Sequence, residues 1–241
     1  MSLRTRAALF LGLAAAVACY YEWSTSLWNA SAWLDVAWIS FVLFPAVFGF
    51  VYLSLPLRRW RGALPAGLAL GLVTWGLQSA GLGAVANFGK LAGATLVGFW
   101  FLRLFETLGL VVFVACLVPW IDAYSVWRGP TQNIVSHHRG VFENVSFALP
   151  TPGEHTAARL GPPDLLFFAL YLAAADRFRL RVFWTWLALT LSFGATLAIA
   201  YGTDTGGLPA LPGLSIAFLV VNVDRLWPVF RRGWAVVRSQ F

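Results

Sequence analysis

Lysine is nearly missing from this chain. Lys90 stands alone against sixteen arginines in a total of 17 basic residues. Charge of either sign is scarce as well: 11% of the 241 residues are Asp, Glu, Lys or Arg, where soluble domains carry about 25%. That scarcity excludes an ordinary soluble domain. Cysteine is rare too. Cys19 and Cys116 both lie in apolar runs and form no Cys-x-x-Cys pair, so neither a disulfide framework nor a metal site is expected. No internal repeat is visible.

What fills the chain instead is apolar. Hydrophobic residues make up 59%, with 13 Trp and 20 Phe. The apolar runs are long and continuous rather than alternating, so the expected fold class is an all-α polytopic membrane protein. Eight spans are expected, at roughly 7–22, 31–56, 62–80, 82–102, 104–127, 161–176, 181–201 and 208–225. Each approaches the length that crosses ~30 Å of hydrocarbon at ~1.5 Å per residue. The sixth is short, and requires a thinned bilayer or burial among its neighbours. Residues 1–104 then form an N-terminal set of four spans, and 105–241 a second region with the polar loop 128–160.

The net charge of +7 comes almost wholly from arginines flanking the apolar runs. Positive-inside anchoring explains them better than nucleic-acid binding. The basic segments alternate along the chain. Both termini and the "RFRLR" turn at 177–181 are therefore expected in the cytoplasm, and the loop 128–160 outside. The Arg, Ala and Gly bias fits a GC-rich prokaryotic genome, hence a prokaryotic plasma membrane. Residues 1–22 also read as a signal peptide, with a weak lipoprotein signal at Cys19, but Ala16 stands where Leu is usual. A retained first helix is expected.

Ionisable residues inside spans are functional candidates by default. Most have a structural explanation. Asp35 is near an interface, Lys90 can snorkel or pair within the bundle, and Glu106 can pair with Arg103 one helical turn away. Asp176 and Asp224 each precede an Arg at a cytoplasmic end. Asp122 and Asp164 differ. One lies about five residues before the fifth span ends, the other near the start of the sixth. Two consecutive antiparallel helices thus carry two carboxylates to similar depth, toward the outer side. Two facing carboxylates cannot both ionise cheaply, so the pair shares a proton and supplies a base and an acid together. The alternative is two unrelated interfacial aspartates. A third element, "GGLPALPGLSIAF" at 206–218, opens the last span with Pro209 and Pro212. It is either an ordinary N-terminal proline cap or irregular backbone lining the same cavity.

These three stretches together resemble the presenilin and signal peptide peptidase family of intramembrane aspartyl proteases. "WIDAYSVW" is similar to the Tyr-Asp motif that carries the first catalytic Asp, here Asp122, with Ile121 in place of the Tyr. "LGPPDLLFFALYLAA" is similar to the Gly-x-Gly-Asp motif, with Gly161 as its first Gly, Pro163 in place of the second, and Asp164 as the second catalytic Asp. "LPALPGL" contains Pro-Ala-Leu at Pro209, Ala210 and Leu211. The resemblance covers about 105–225 and implies a presenilin-like helical bundle, although the family usually has one span more. It implies Asp122 and Asp164 as catalytic, and Gly161, Pro209, Ala210 and Leu211 as substrate-binding. The implied partners are the lipid bilayer and substrates with a single transmembrane helix, such as signal-peptide remnants. No cofactor or metal is implied, and nothing in the sequence identifies partner subunits.

Pro163 fixes its own φ and disfavours helix at Pro162, so Asp164 is expected just after an extended segment, inside the first helical turn. A substrate helix must unwind before it is cut. "VFENVSFAL" at 141–149 is expected to form strand and to offer a backbone edge for the unwound segment. His137 and His138 read as polar loop residues rather than metal ligands. Asn29 and Asn144 begin Asn-x-Ser sequons that matter only in a secretory-pathway host. Two other readings stay open: a catalytically impaired homologue that binds transmembrane helices, and a proton-coupled transporter with aspartates in broken helices.

Overall fold

The computed structural model describes residues 2–128, 140, 144–203, 205 and 208–228, leaving out the side chains of 126–128. His137, His138, Gly206 and Gly207 lie outside the described residues. The chain is helical, with one small hairpin. Among the described residues, eight helices of 11 residues or more follow one another: α1 (Leu3–Trp23), α2 (Ala32–Leu53), α3 (Ala63–Ser79), α4 (Gly83–Phe101), α5 (Leu108–Arg128), α6 (Pro162–Arg177), α7 (Val182–Gly202) and α8 (Leu211–Val221). Each sits where the sequence predicts an apolar helix. Five segments are long and apolar enough to cross a membrane: Leu3–Ser26, Ala32–Leu53, Gly83–Leu104, Leu108–Ser125 and Val182–Gly202. That marks the chain as an integral membrane protein. Helices α3, α6 and α8 are shorter, at 17, 16 and 11 residues.

Helix α2 is not uniform. A π turn covers Ile39–Leu43 just before Pro45. The proline has no N–H for the carbonyl four residues back, and its ring crowds that carbonyl. Widening the preceding turn relieves both. Proline recurs at Pro119 inside α5, in the turn before Asp122.

Helix α6 is the centre of the molecule. Every residue from Phe168 to Ala175 is buried. A helix apolar on all faces belongs inside a protein rather than against lipid. At ~1.5 Å per residue α6 is ~24 Å long, short for a bilayer, and it is buried among its neighbours. Close approach is built in. A Cβ on Gly98 of α4 would meet the Leu166 carbonyl oxygen at 2.6 Å and Ala169 Cβ at 2.9 Å. Phe48 of α2 stacks on Phe168 at 4.0 Å and on Phe193 of α7 at 4.9 Å. One buried apolar cluster runs from Val17 to Phe218 through helices on both sides of residue 105.

The segment before α6 folds into an antiparallel hairpin, β1 (Phe147–Pro150) and β2 (Ala157–Leu160), with Phe147 opposite Leu160 and Pro150 opposite Ala157. The strand is later than expected: Asn144 and Val145 are helical. Gly153 turns the hairpin at φ 68°, its N–H donates to the Ser24 carbonyl at 2.7 Å, and a Cβ there would meet the Trp28 carbonyl at 2.6 Å. Only glycine satisfies both conditions. The outward side of β1 is covered by side chains. Tyr20 donates to the Pro150 carbonyl and Tyr21 to the Ala148 carbonyl, while Asn87 accepts from the Ala148 N–H. Lys90 donates to the Ser146 carbonyl at 3.0 Å and to Gln78 at 3.2 Å, so it pairs within the bundle.

The two ends of the bundle differ in charge. The basic start of α1, the three basic segments between helices and Arg225 after α8 meet at one end. There Arg6 donates to the Leu53 carbonyl, Arg58 pairs with Asp176, Arg103 donates to the Trp60 carbonyl and Arg177 to the Leu102 carbonyl. Arg181 bonds Asp224 at 2.8 Å. Asp176 and Asp224 thus have the structural roles expected. Glu106 does not. The chain leaves the helix at Phe105, and among the described residues Glu106 forms no ion pair with Arg103. The pair needs one continuous helix, and the helix stops between them.

Candidate functional site

The hairpin, Asp122 and Asp164 all lie at the opposite end. Asp164 is the third residue of α6. Gly161 precedes the helix in an extended conformation (φ −67°, ψ 151°), and its N–H donates to Asp164 Oδ2 at 3.0 Å. Pro162 and Pro163 occupy the first two helical positions, where a missing N–H costs nothing. This corrects one expectation. Pro162 is helical, and the extended residue is Gly161, one position earlier. The carboxylate folded back onto the Gly161 N–H stabilises a helix start at Pro162 against the preference of a residue preceding proline. Gly161 leaves little spare room: a Cβ there would stand 3.2 Å from Asp164 Oδ2.

Asp122 lies on the last turns of α5, half-buried, and reaches a different helix. Its Oδ2 accepts the Leu211 N–H at 3.1 Å. Leu211 is the first residue of α8, Ala210 caps it, and Pro212 follows. A helix start leaves its first N–H groups without partners, and carries partial positive charge. Proline at the second position removes one of those donors, and Asp122 takes another. Pro209 is half-buried, and Ala210 and Leu211 are buried beside it.

Helix α8 packs against both α5 and α6. Below the carboxylates, Tyr171 of α6 hydrogen-bonds Ser215 of α8 at 2.9 Å and stacks on Phe218 at 4.9 Å. Asp122 and Asp164 are within electrostatic reach of each other. Each carboxylate commits one oxygen to a backbone N–H. Among the described residues the other oxygen of each has no hydrogen bond. Asp122 thus meets Leu211 at the proline-broken start of α8, and Asp164 meets Gly161 at the start of α6, on helices that both pack against α8.

Sequence reasoning missed the partners that hold this cluster. Tyr171 falls seven residues after Asp164, two turns down the same helical face, which is a legible signal. Tyr20, Tyr21 and Asn87 fix the hairpin from far away in sequence and left none. Asp35 is buried, 5% exposed, and its Oδ1 has no hydrogen-bond partner among the described residues. Among the described residues no three His, Cys, Asp or Glu side chains converge as metal ligands. No family model, curated protein or solved structure matches this chain.

Proposed function

We propose that the protein is an intramembrane aspartyl protease of the presenilin and signal peptide peptidase type, cutting peptide bonds within transmembrane helices. The observation that carries this reading is that Asp122 and Asp164, from successive helices, lie within electrostatic reach of each other, with Asp122 bonded to Leu211 at the start of α8, beside Pro209 and Ala210. One carboxylate takes a proton from water. The other, protonated, polarises the scissile carbonyl and then protonates the leaving nitrogen. The proton moves within the pair, so no covalent intermediate forms.

The substrate helix has to be extended at the cut. β2 has no further strand beside it among the described residues, and it leads directly into Gly161 and Asp164. An unwound substrate adding along β2 would lie next to the dyad. β1 is the poorer edge, because tyrosine and asparagine side chains already occupy its outward groups. In this reading all eight helices span a prokaryotic plasma membrane, both termini face the cytoplasm, and the hairpin lies outside. The convergence of the arginine-rich segments at one end supports that orientation.

A second reading has support of its own. Both carboxylates cap helix starts, so each has a structural use without chemistry. Pro163 replaces the motif glycine. A protein that captures transmembrane helices without cutting them would keep the same contacts. The experiment is cleavage of a tagged transmembrane-helix substrate by the purified protein, compared with Asp122→Asn and Asp164→Asn. Proteolysis predicts product from wild type and at least about a thousandfold less from either variant, with an acid and an alkaline limb in the pH profile. Capture without product, unchanged in both variants, would establish the second reading. Flux coupled to pH in liposomes, without cleavage, would point to a transporter.

A further inference from the structure

The basic end of the bundle contains a cavity that the proteolytic reading leaves unused. It is an open concavity of about 330 Å³, lined by Arg58, Arg59, Arg61, Arg103 and Arg177 together with Phe99 and Leu102. The arginines come from three separate places in the chain: the α2–α3 loop, the α4–α5 turn and the end of α6. Plain positive-inside anchoring asks only that arginines lie on one side. It does not require five of them to line one concavity.

Three of the five guanidinium groups are held in position. Arg58 donates its Nε to Asp176 and is only 14% exposed, so its two terminal nitrogens remain for another acceptor. Arg103 is tethered to the Trp60 carbonyl at 2.7 Å and Arg177 to the Leu102 carbonyl at 2.9 Å, each through a single nitrogen. Arg59 and Arg61 have no hydrogen bond or ion pair among the described residues. Asp176 is the one carboxylate paired with any of the five among the described residues. Five like charges so gathered repel one another, and a second anion relieves the repulsion. The guanidinium fork matches the oxygens of a phosphate in pairs. The volume falls at the small end of ligand pockets, which run from about 300 Å³.

We infer that this cavity binds a phosphate group, carried either by an acidic phospholipid headgroup of the adjoining leaflet or by a soluble phosphate compound. The exposed Trp60 ring beside it suits the headgroup level of a bilayer. The inference stands apart from the proteolytic reading, and its readout is binding.

The test uses the full chain in phosphatidylcholine nanodiscs. Inorganic phosphate is titrated against chloride at matched ionic strength. In a parallel arm, phosphatidylglycerol replaces a fraction of the neutral lipid, and native mass spectrometry counts the molecules retained. Arg59→Gln and Arg61→Gln are each expected to weaken binding roughly fivefold to tenfold by removing one guanidinium–phosphate pair. Arg4→Gln removes the same charge outside the cavity, and is expected to change binding by less than about twofold. Retention of the lipid alone identifies a headgroup site, and titration by phosphate alone identifies a soluble ligand; either upholds the inference. No binding of either probe to wild type overturns it, as does an equal loss in Arg4→Gln. If a glutamine variant fails to fold, Arg59→Lys and Arg61→Lys keep the charge and lose the fork. Binding unchanged in those variants would also overturn it.

Discussion

At the scale of single residues, the two aspartates separate charge from shape. Asp122 holds the Leu211 N–H, and an amide oxygen can hold the same N–H. Asp122→Asn should therefore keep the start of α8 and lose only the acid–base group. Asp122→Ala strands the donor and should cost about 1 kcal/mol more in stability, read as a lower thermal midpoint than that of Asp122→Asn. A stability equal in the two variants would mean the bond to Leu211 contributes nothing. Gly161 gives a sharper case. Its φ of −67° suits any residue, so backbone freedom is not what its position needs. What it provides is space, because a Cβ would press on Asp164 Oδ2 at 3.2 Å. On the proteolytic reading, Gly161→Ala is expected to lower kcat about tenfold through a displaced carboxylate while melting shifts by a few degrees at most. Loss of stability with unchanged kcat would contradict this. The sequence named both residues through their motif. It could not reveal that Asp122 caps α8, because the Leu211 N–H is 89 positions from Asp122.

At the scale of elements, the helices were legible and the hairpin was only partly so. Apolar runs bounded by Arg, Gly and Pro predict each of α1 to α8 to within a few residues, because long apolar stretches advertise themselves by length and composition. The strand at 147–150 was expected to begin earlier. Its position is set by Tyr20, Tyr21, Asn87 and Lys90, whose contacts span more than 50 residues and leave no local pattern. Glu106 failed for the opposite reason: a spacing of three suggested a helical pair, but the helix had already ended. The packing of α4 on α6 is the element contact that matters most for the site, since Leu166 lies two residues from Asp164. Gly98→Ala would drive a Cβ into the Leu166 carbonyl. It is expected to cost about 1–3 kcal/mol and to reduce cleavage beyond what the unfolded fraction explains. A melting curve and a specific-activity measurement on the folded fraction separate the two effects. Full activity per folded molecule would show that α6 tolerates the shift.

At the scale of the whole molecule, the decisive property is that one end gathers most of the arginines and the other holds Asp122, Asp164 and the hairpin. The alternation of charge was readable from the sequence. The convergence of Arg58, Arg59, Arg61, Arg103 and Arg177 on one cavity was not, because it depends on which helices are neighbours. The orientation can be checked in cells, after replacing Cys19 and Cys116, which are both exposed thiols. Glu154→Cys at the hairpin is expected to react with a membrane-impermeant maleimide in intact cells. Leu57→Cys is expected to react only after permeabilisation. The reverse pattern would invert the molecule and place the dyad on the cytoplasmic side. The polarity also has an electrical consequence. A membrane held negative inside resists moving positive charge outward by about 2.3 kcal/mol per elementary charge per 100 mV. The inverted molecule would have to carry all the arginine-rich segments against that field. In the proposed orientation an energised membrane thus acts as a ratchet on the finished bundle, and collapsing the potential during synthesis is expected to weaken that bias.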